Sequence, residues 1–446
     1  MLQYAFADSR RRFLVRGLLP RLVTLMCCLS FGWASAACHR TERSPRRAHA
    51  ASNMETPDQA LFALQQASWH PAARAYPLRS KASAEVLSAR DTRQPRKAKR
   101  AALSLLKLPA GFSIEIYGKG VPHARAMALG ANGTVFVSTR KGARVYALVD
   151  KDADYRTDEV HTIAVGSGTP HGIAYRDGSL YVAEAHRLWR LDDIERELGQ
   201  PTKPLLVTGK LPDDITRGLR SLRFGPDGWL YMPIGAACNA CQRPGATFAS
   251  IARMQPDGSQ LEVFASGVRS SFGFDWHPQT RDLWFTENGR DTGGEDTAPD
   301  ELNHAPQKGL HFGFPHCHAG ILLDPQFGAG HPCTQFEVPI RNLDRHVAVL
   351  GMRFYTGNMF PERYRNAVIL AEHGTANGDK KLGYRVMIVR LAANRALSYE
   401  PLVTGFVDER TNRAWGRPVD VEILADGSVL ISDDRKGVIY RVTYQG

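Results

Sequence analysis

The chain has 446 residues, 43% of them hydrophobic and 23% charged, with no series of long apolar runs. That composition excludes both a polytopic membrane protein and a wholly disordered chain. The net charge of +12 is confined to one end, because residues 1–100 carry 18 Lys and Arg against 6 Asp and Glu, whereas residues 101–446 carry 39 of each. A neutral body has no basic groove, so no nucleic acid is expected as a partner.

The chain begins with the features of an export signal. Ser9-Arg10-Arg11-Arg12-Phe13-Leu14 precedes an apolar stretch from Leu22 to Ala37 that ends in small residues, Ala34-Ser35-Ala36-Ala37. A bilayer span needs about 20 residues, so a removable signal over 1–38 is favoured over an anchor, and the protein is expected in the periplasm. The paired arginines resemble a twin-arginine signal, with a Sec signal as the alternative. Cys38 permits lipidation, the one route to a membrane contact. Residues 39–104, rich in Ala, Arg, Ser, Pro and Gln, read as a disordered basic linker, with a short helix possible over Ala60 to Ser68.

From residue 105 onward a turn followed by an alternating apolar strand recurs six times. The strands start at Asn132-Gly133-Thr134-Val135, Asp177-Gly178-Ser179-Leu180, Asp227-Gly228-Trp229-Leu230, Arg281-Asp282-Leu283, Arg365-Asn366-Ala367-Val368 and Asp426-Gly427-Ser428-Val429. Partner strands such as Arg144-Val145-Tyr146-Ala147-Leu148 and Val438-Ile439-Tyr440-Arg441-Val442 follow each turn at hairpin distance. Units of about 45 residues or more, repeated six times, predict an all-β, six-bladed β-propeller over 105–446, with a β-sandwich array as the competing arrangement. Leu191 to Leu198 is the clearest helix candidate.

Four cysteines lie in this body: Cys238, Cys241, Cys317 and Cys333. In an oxidising compartment they are expected to form two disulfides, near-neighbour pairing being favoured among three connectivities. A redox-active Cys-x-x-Cys is the alternative for the first pair. No Cys-x-x-Cys-His is present, so no haem is attached covalently.

Several longer segments carry a resemblance. Gly267-Val268-Arg269-Ser270-Ser271-Phe272-Gly273-Phe274-Asp275-Trp276, Thr286-Glu287-Asn288-Gly289-Arg290-Asp291, Pro299-Asp300-Glu301-Leu302-Asn303, Gly351-Met352-Arg353-Phe354-Tyr355, Ala371-Glu372-His373-Gly374 and Trp415-Gly416-Arg417-Pro418-Val419-Asp420 together resemble the glucose/sorbosone dehydrogenase family, in its sorbosone dehydrogenase-like branch. The resemblance spans roughly residues 106–446. It implies pyrroloquinoline quinone (PQQ) and Ca²⁺ at one end of a propeller channel, oxidation of a sugar or aldehyde, and transfer of electrons to a separate acceptor, a cytochrome or a quinone.

A tricarboxylate quinone needs cations around it, a base for the substrate proton and a Lewis acid at its oxygen. The resemblance places Arg269 at the quinone and Arg417 at a carboxylate, with Arg125, Ser270, Asn288, His346, His373 and Lys381 as further cofactor contacts. It places Gly289 and Arg290 as carbonyl ligands of Ca²⁺, with Asp300 and Glu301 nearby; a turn of this kind also suits an oxygen-only ion on general grounds. Hydrogen-bonded turn chemistry accounts for the same residues without a metal. His171, between Pro170 and Gly172 at the start of a strand, is a candidate base.

One departure from the family pattern bears on activity. The base expected just before Arg223-Phe224-Gly225-Pro226-Asp227-Gly228 is replaced by Arg217, which stays protonated. Ser270 stands where the family has Asn, and Val419 where a second clamp arginine is expected. Two functions therefore follow: a periplasmic PQQ-dependent sugar or aldehyde dehydrogenase with a relocated base, or a noncatalytic propeller that binds a carbohydrate or protein partner.

Overall fold

The computed structural model describes residues 103–446 except 167, 197, 201–202, 213–219, 244, 246, 292–297 and 376–380. The expected signal, linker and Ala60–Ser68 helix lie outside the described residues, as does Arg217. Six four-stranded antiparallel meanders form the blades of a β-propeller. Blade 1 comprises Ala124–Leu129, Val135–Thr139, Arg144–Val149 and Glu159–Ala164. Blade 2 comprises Gly172–Arg176, Ser179–Ala183, Leu188–Leu191 and Leu205–Thr208. Blade 3 comprises Arg223–Phe224, Leu230–Ile234, Ser250–Met254 and Glu262–Ser266. Blade 4 comprises Phe274–Trp276, Leu283–Glu287, Pro299–Ala305 and Arg341–Arg345. Blade 5 comprises Val349–Phe354, Val368–Glu372, Arg385–Val389 and Glu400–Val403. Blade 6 takes Pro418–Ile423, Val429–Asp433 and Val438–Tyr444 from the C-terminus and completes itself with Phe112–Lys119 from the start of the body.

The six sequence repeats coincide with the second strand of every blade. Their turns explain the regularity: Asp177 and Gly178 both take positive φ, 49° and 80°, the left-handed pair that a two-residue hairpin requires. The strands after these turns are buried on both faces, as at Val135–Thr139 and Leu283–Glu287, because blades pack against each other on either side.

First strands of neighbouring blades meet around the axis, blade 1 touching blades 2 and 6, blade 3 touching blade 2, and blade 5 touching blades 4 and 6. Each meander starts at the axis and steps outward, so the starts of the first strands and the ends of the second strands gather at the same mouth of the channel. In blades 1, 5 and 6 the first strand slips register within its opening residues, at Ala124/Met127, Val349/Met352 and Pro418/Val421. Such bulges turn side chains out of the pleat where the strand reaches the mouth.

Deeper in the channel a web of buried charge ties blades together. Arg353 of blade 5 bonds Glu422 of blade 6 through Nε at 3.1 Å, and Arg223 of blade 3 lies 3.3 Å from the same carboxylate and 3.2 Å from Asp275 of blade 4. Asp420 accepts the Met127 N–H of blade 1 at 2.9 Å.

The expected helix from Leu191 to Leu198 is corrected: its described residues are the end of a strand followed by turns. Asp193 takes φ 50°, which ends any right-handed helix, and Glu195 is drawn sideways to cap the Ala131 N–H of blade 1 at 2.8 Å and to accept the Tyr175 hydroxyl at 2.7 Å. The body also begins earlier than its expected boundary, since Leu103 already packs against the core between blades 5 and 6. Both near-neighbour disulfides are present, Cys238–Cys241 and Cys317–Cys333. The second staples the long excursion between the third and fourth strands of blade 4.

Phe112 anchors the closing strand, meeting the rings of Phe360 and Tyr444 edge-on at 4.8 and 4.9 Å. Phe112→Ala is expected to cost about 3 kcal/mol, the usual scale for emptying a buried aromatic site. A denaturant melt measures it, and an unchanged midpoint would deny the closing strand its structural role.

Candidate functional site

The mouth where first strands begin and second strands end collects most of the residues singled out by sequence. Arg125, His171, Arg269, His346 and Arg417 lie at or just before first strands of five blades, while Asn288 and His373 directly follow second strands. Asp434, which sequence reasoning missed, occupies the position after the second strand of blade 6 that His373 occupies in blade 5. Superposing the six repeats would have found it, since the residue after each second strand is Arg140, Glu184, Gly235, Asn288, His373 or Asp434.

Asp434 is the hub of one half of the site. Arg417 donates through Nε to Oδ1 at 2.7 Å and through Nη2 to Oδ2 at 3.1 Å, Arg125 reaches Oδ2 at 3.3 Å, and His373 Nε2 donates to the same oxygen at 3.0 Å. Burial pushes the Asp434 carboxyl up, but His373, Arg125 and Arg417 outweigh it and hold the group well below the ordinary range. One carboxylate shared by two arginines leaves net positive charge. Burial also pushes His373 down to about 4, Asp434 opposing, so its imidazole is neutral at neutral pH. His171 is likewise lowered to about 4 by burial, with the charges of Arg125, Arg220 and Arg140 adding to the effect.

Beneath these groups the floor is apolar. Arg125 lies 5.4 Å over the Phe272 ring, which packs in one cluster with Leu350 and Val419. Val419, at the expected second clamp position, is thus a buried wall residue that supplies no cation.

The other half of the site centres on Arg269, which is 1% exposed. Its Nε donates to the Asn239 carbonyl at 2.9 Å, Nη1 to the Asn288 carbonyl at 2.9 Å, and Nη2 to Asn239 Oδ1 at 2.7 Å and Asp291 Oδ2 at 3.3 Å. Three of these four acceptors are neutral. Asn239, from the Cys238–Cys241 turn, was not among the sequence candidates, and only the folded chain carries it across to blade 4.

Three buried carboxyls adjoin Arg269. Glu287 Oε1 accepts the Arg269 N–H at 2.6 Å, Asp300 accepts the N–H groups of Gly289 at 2.9 Å and Val349 at 3.0 Å, and Glu301 accepts that of Ala319 at 2.7 Å. Burial pushes Asp300 up to about 7 against those two N–H donors. Burial together with Glu301 raises Glu287 well above its ordinary value, and burial raises Glu301. Glu287 Oε2 is buried without a hydrogen-bond partner among the described residues. The Gly289 and Arg290 carbonyls likewise accept no hydrogen bond from a described residue. A Cβ at Gly289 would strike the Ala298 and Pro299 carbonyls, so this backbone is held close to the carboxyl group cluster. Unclaimed oxygens beside carboxyls that burial leaves reluctant to ionise form a donor set suited to a hard cation.

Other candidates are placed differently. The Asn288 side chain donates to the Val349 carbonyl at 2.6 Å and so joins blade 4 to blade 5, while the Ser270 carbonyl accepts the Asn288 N–H at 2.9 Å. The Arg290 guanidinium pairs with Asp324, which also holds His318 Nε2 at 2.8 Å. His346 has a left-handed backbone, φ 56°, and the Lys381 N–H reaches Asn412 Oδ1 at 3.4 Å.

The profile of the family described as Glucose / Sorbosone dehydrogenase matches residues 190–441. An uncharacterized protein of Borreliella burgdorferi is 30% identical over 357 residues, spanning 77% of this chain and 92% of that one. Among solved structures, the Trichoderma reesei enzyme of Carbohydrate-Active Enzymes Family AA12 is similar with TM-score 0.65 at 18% identity, over 76% of this chain and 98% of that chain. The pyranose dehydrogenase PQQ domain of Coprinopsis cinerea is similar with TM-score 0.61 at 18% identity, over 76% of this chain and 97% of that chain.

The titrations predict a pH dependence. A raised carboxyl binds more protons folded than unfolded, so its stabilisation is present below the unfolded value and lost as pH rises through the folded one. The lowered histidines act oppositely, but only between about 4 and 6.5. Above that window the carboxyls act alone, and the melting temperature of cation-free protein is expected to fall from pH 6.5 to 8. Asp300→Asn should flatten that fall, and thermal melts of both proteins across this range check it.

Proposed function

The chain belongs to the glucose/sorbosone dehydrogenase family, and we propose that it is a sugar dehydrogenase that uses PQQ and Ca²⁺ at this channel mouth. The observation that carries the reading is the convergence of Arg125, Arg417, His171 and His373 on an apolar floor, beside unclaimed oxygens of Gly289, Arg290 and Glu287. That donor set fits both groups. Arginines with one shared carboxylate suit a tricarboxylate, and oxygen ligands suit Ca²⁺. Arg125 and Arg417 would hold the cofactor carboxylates, Arg269 would face its quinone edge, and the Gly289 and Arg290 carbonyls would hold the metal.

When bound, PQQ would supply a two-electron acceptor for the substrate carbon and Ca²⁺ a Lewis acid beside it. The chain's own residues do the rest. A neutral imidazole nitrogen on His171 accepts the hydroxyl proton of the sugar, or of a hydrated aldehyde. Its lowered proton affinity reflects burial and the surrounding arginines, and an anionic cofactor among those arginines brings it back toward the range useful to a base. The apolar floor of Phe272, Leu350 and Val419 excludes water beneath the reacting atoms. The proposed activity includes a separate electron acceptor, a cytochrome or a quinone. We place the protein in the periplasm, a reading supported by the apolar N-terminal stretch and by two disulfides. Lipidation of Cys38 would tether it to a membrane.

A second reading, a binder without turnover, is favoured by Arg217 at the family's base position and by the engagement of Arg269 with Asn239, Asn288 and Asp291. Titration of the metal-free protein with PQQ, with and without Ca²⁺, followed by dye reduction with aldoses and aldehydes, separates the two. Calcium-dependent binding with sugar-dependent dye reduction supports the enzyme; Ca²⁺-independent or absent PQQ binding overturns it.

Two substitutions sharpen the assignment. Arg417→Ala should weaken PQQ binding about tenfold or more, the scale of a lost charged hydrogen bond. His171→Ala should lower kcat by about 10²–10⁴-fold while PQQ affinity changes little, as expected for loss of a positioned base. With His171 as base, Arg217→His leaves the rate nearly unchanged; a large gain would instead assign the missing function to position 217.

A further inference from the structure

The Cys238–Cys241 turn leaves the second strand of blade 3 and crosses to blade 4, where its Asn239 meets Arg269 and Asp291 at once. Asn239 accepts from Arg269 twice, through its backbone carbonyl at 2.9 Å and through Oδ1 at 2.7 Å. The same Oδ1 accepts the Asp291 N–H at 3.1 Å, and Nδ2 donates to the Asp291 carbonyl at 2.6 Å. The Ala236 N–H, just before the turn, donates to the Arg269 carbonyl at 2.8 Å. One residue thus holds the guanidinium along its Nε–Nη2 edge and ties it to the loop that follows Asn288, Gly289 and Arg290.

We propose that Asn239, presented by the disulfide-closed Cys238–Cys241 turn, is the positioning residue that sets the plane of the Arg269 guanidinium. The disulfide matters because Asn239 lies between the two cysteines it joins, so the carbonyl and side chain that grip Arg269 come from one constrained turn. The chemistry of the grip matters too. Asn239 is a neutral acceptor, and Asp291, the one carboxylate bonded to the guanidinium among the described residues, stands 3.3 Å away with its side chain half exposed. Arg269 is therefore oriented largely by neutral acceptors, the arrangement that lets a buried cation stabilise charge developing on a bound group without reorganising. The catalytic consequence rests on the PQQ reading above; the positioning itself does not.

Exchange of the Arg269 Nη2 protons, followed by NMR on the cofactor-free full-length protein, tests the positioning directly. It should be slow in the parent and accelerate at least about tenfold in Asn239→Ala and in the Cys238→Ser/Cys241→Ser double variant, because Asn239 Oδ1, presented by the turn, is the acceptor for Nη2. Asn239→Asp, which keeps both oxygens facing Arg269, should restore slow exchange, and its Ca²⁺-loaded form should turn over more slowly because a carboxylate cancels the charge. PQQ binding to Ca²⁺-loaded protein should weaken about tenfold in Asn239→Ala, with kcat falling more than KM rises. Unchanged exchange in the folded Asn239→Ala protein overturns the proposal whatever PQQ does. Failure of the parent to bind PQQ overturns the cofactor reading, and the exchange data still decide the role of Asn239.

Discussion

The pairing of Phe112–Lys119 with Val438–Tyr444 is the contact that makes the channel a closed object. Its antiparallel register runs from Phe112 opposite Tyr444 to Lys119 opposite Val438, so the first strand of the body completes the last blade. Without it blade 6 would present an open edge, and the seam between blades 6 and 1 would rest only on its inner packing and hydrogen bonds. Every contact at the mouth that spans this seam depends on it, including Arg125 of blade 1 with Asp434 of blade 6 and the Met127 N–H with Asp420. The aromatic cluster around Phe112, Phe360, Tyr364 and Tyr444 converts the pairing from a ladder into a packed core.

Closure also decides where charge can be buried. A propeller brings six strand starts and six strand ends to one mouth, close enough for groups from different blades to share partners. Asp434 can therefore serve Arg125, Arg417 and His373, and the deeper Glu422 can serve Arg353 and Arg223. The two webs differ in consequence. Around Glu422 cations and anions alternate, with Asp275 and Asp420 completing the set, which fits a structural floor. At the mouth arginines outnumber the carboxylate that orients them, which fits recognition of an anion.

The Arg269 half of the site follows a different logic. There three carboxyls are packed with one arginine whose own hydrogen bonds go mainly to neutral acceptors. Burial opposes ionisation of the carboxyls, and a bound cation would relieve that opposition while the arginine keeps its orientation. Anion and cation would then occupy adjoining parts of one mouth, each lowering the cost of the other.

The repeat of turn and strand was readable because the second strand of each blade is buried on both faces, which demands continuous apolar residues after a turn whose φ values favour Asn, Asp or Gly. Local chemistry of that kind needs no partner to be recognised, and it carried the blade number and the near-neighbour disulfides. Leu191–Leu198 misled for the opposite reason: its apolar spacing suits a helix, while Glu195 is drawn to a turn of blade 1 that lies far away in sequence. Candidate site residues were legible where long segments resemble a family, as at Arg269 and Arg417. Their neighbours were not. Asp434 beside Arg125, separated by 309 positions, Asn239 beside Arg269, and the substitution of a blade 6 partner strand from residue 112 onward arise only when the ring closes. Sequence alone determined which strands form and what chemistry they can carry, because those depend on neighbours along the chain. Tertiary structure alone decided which charges meet and which remain uncancelled, because that depends on distances set by the closure of the ring.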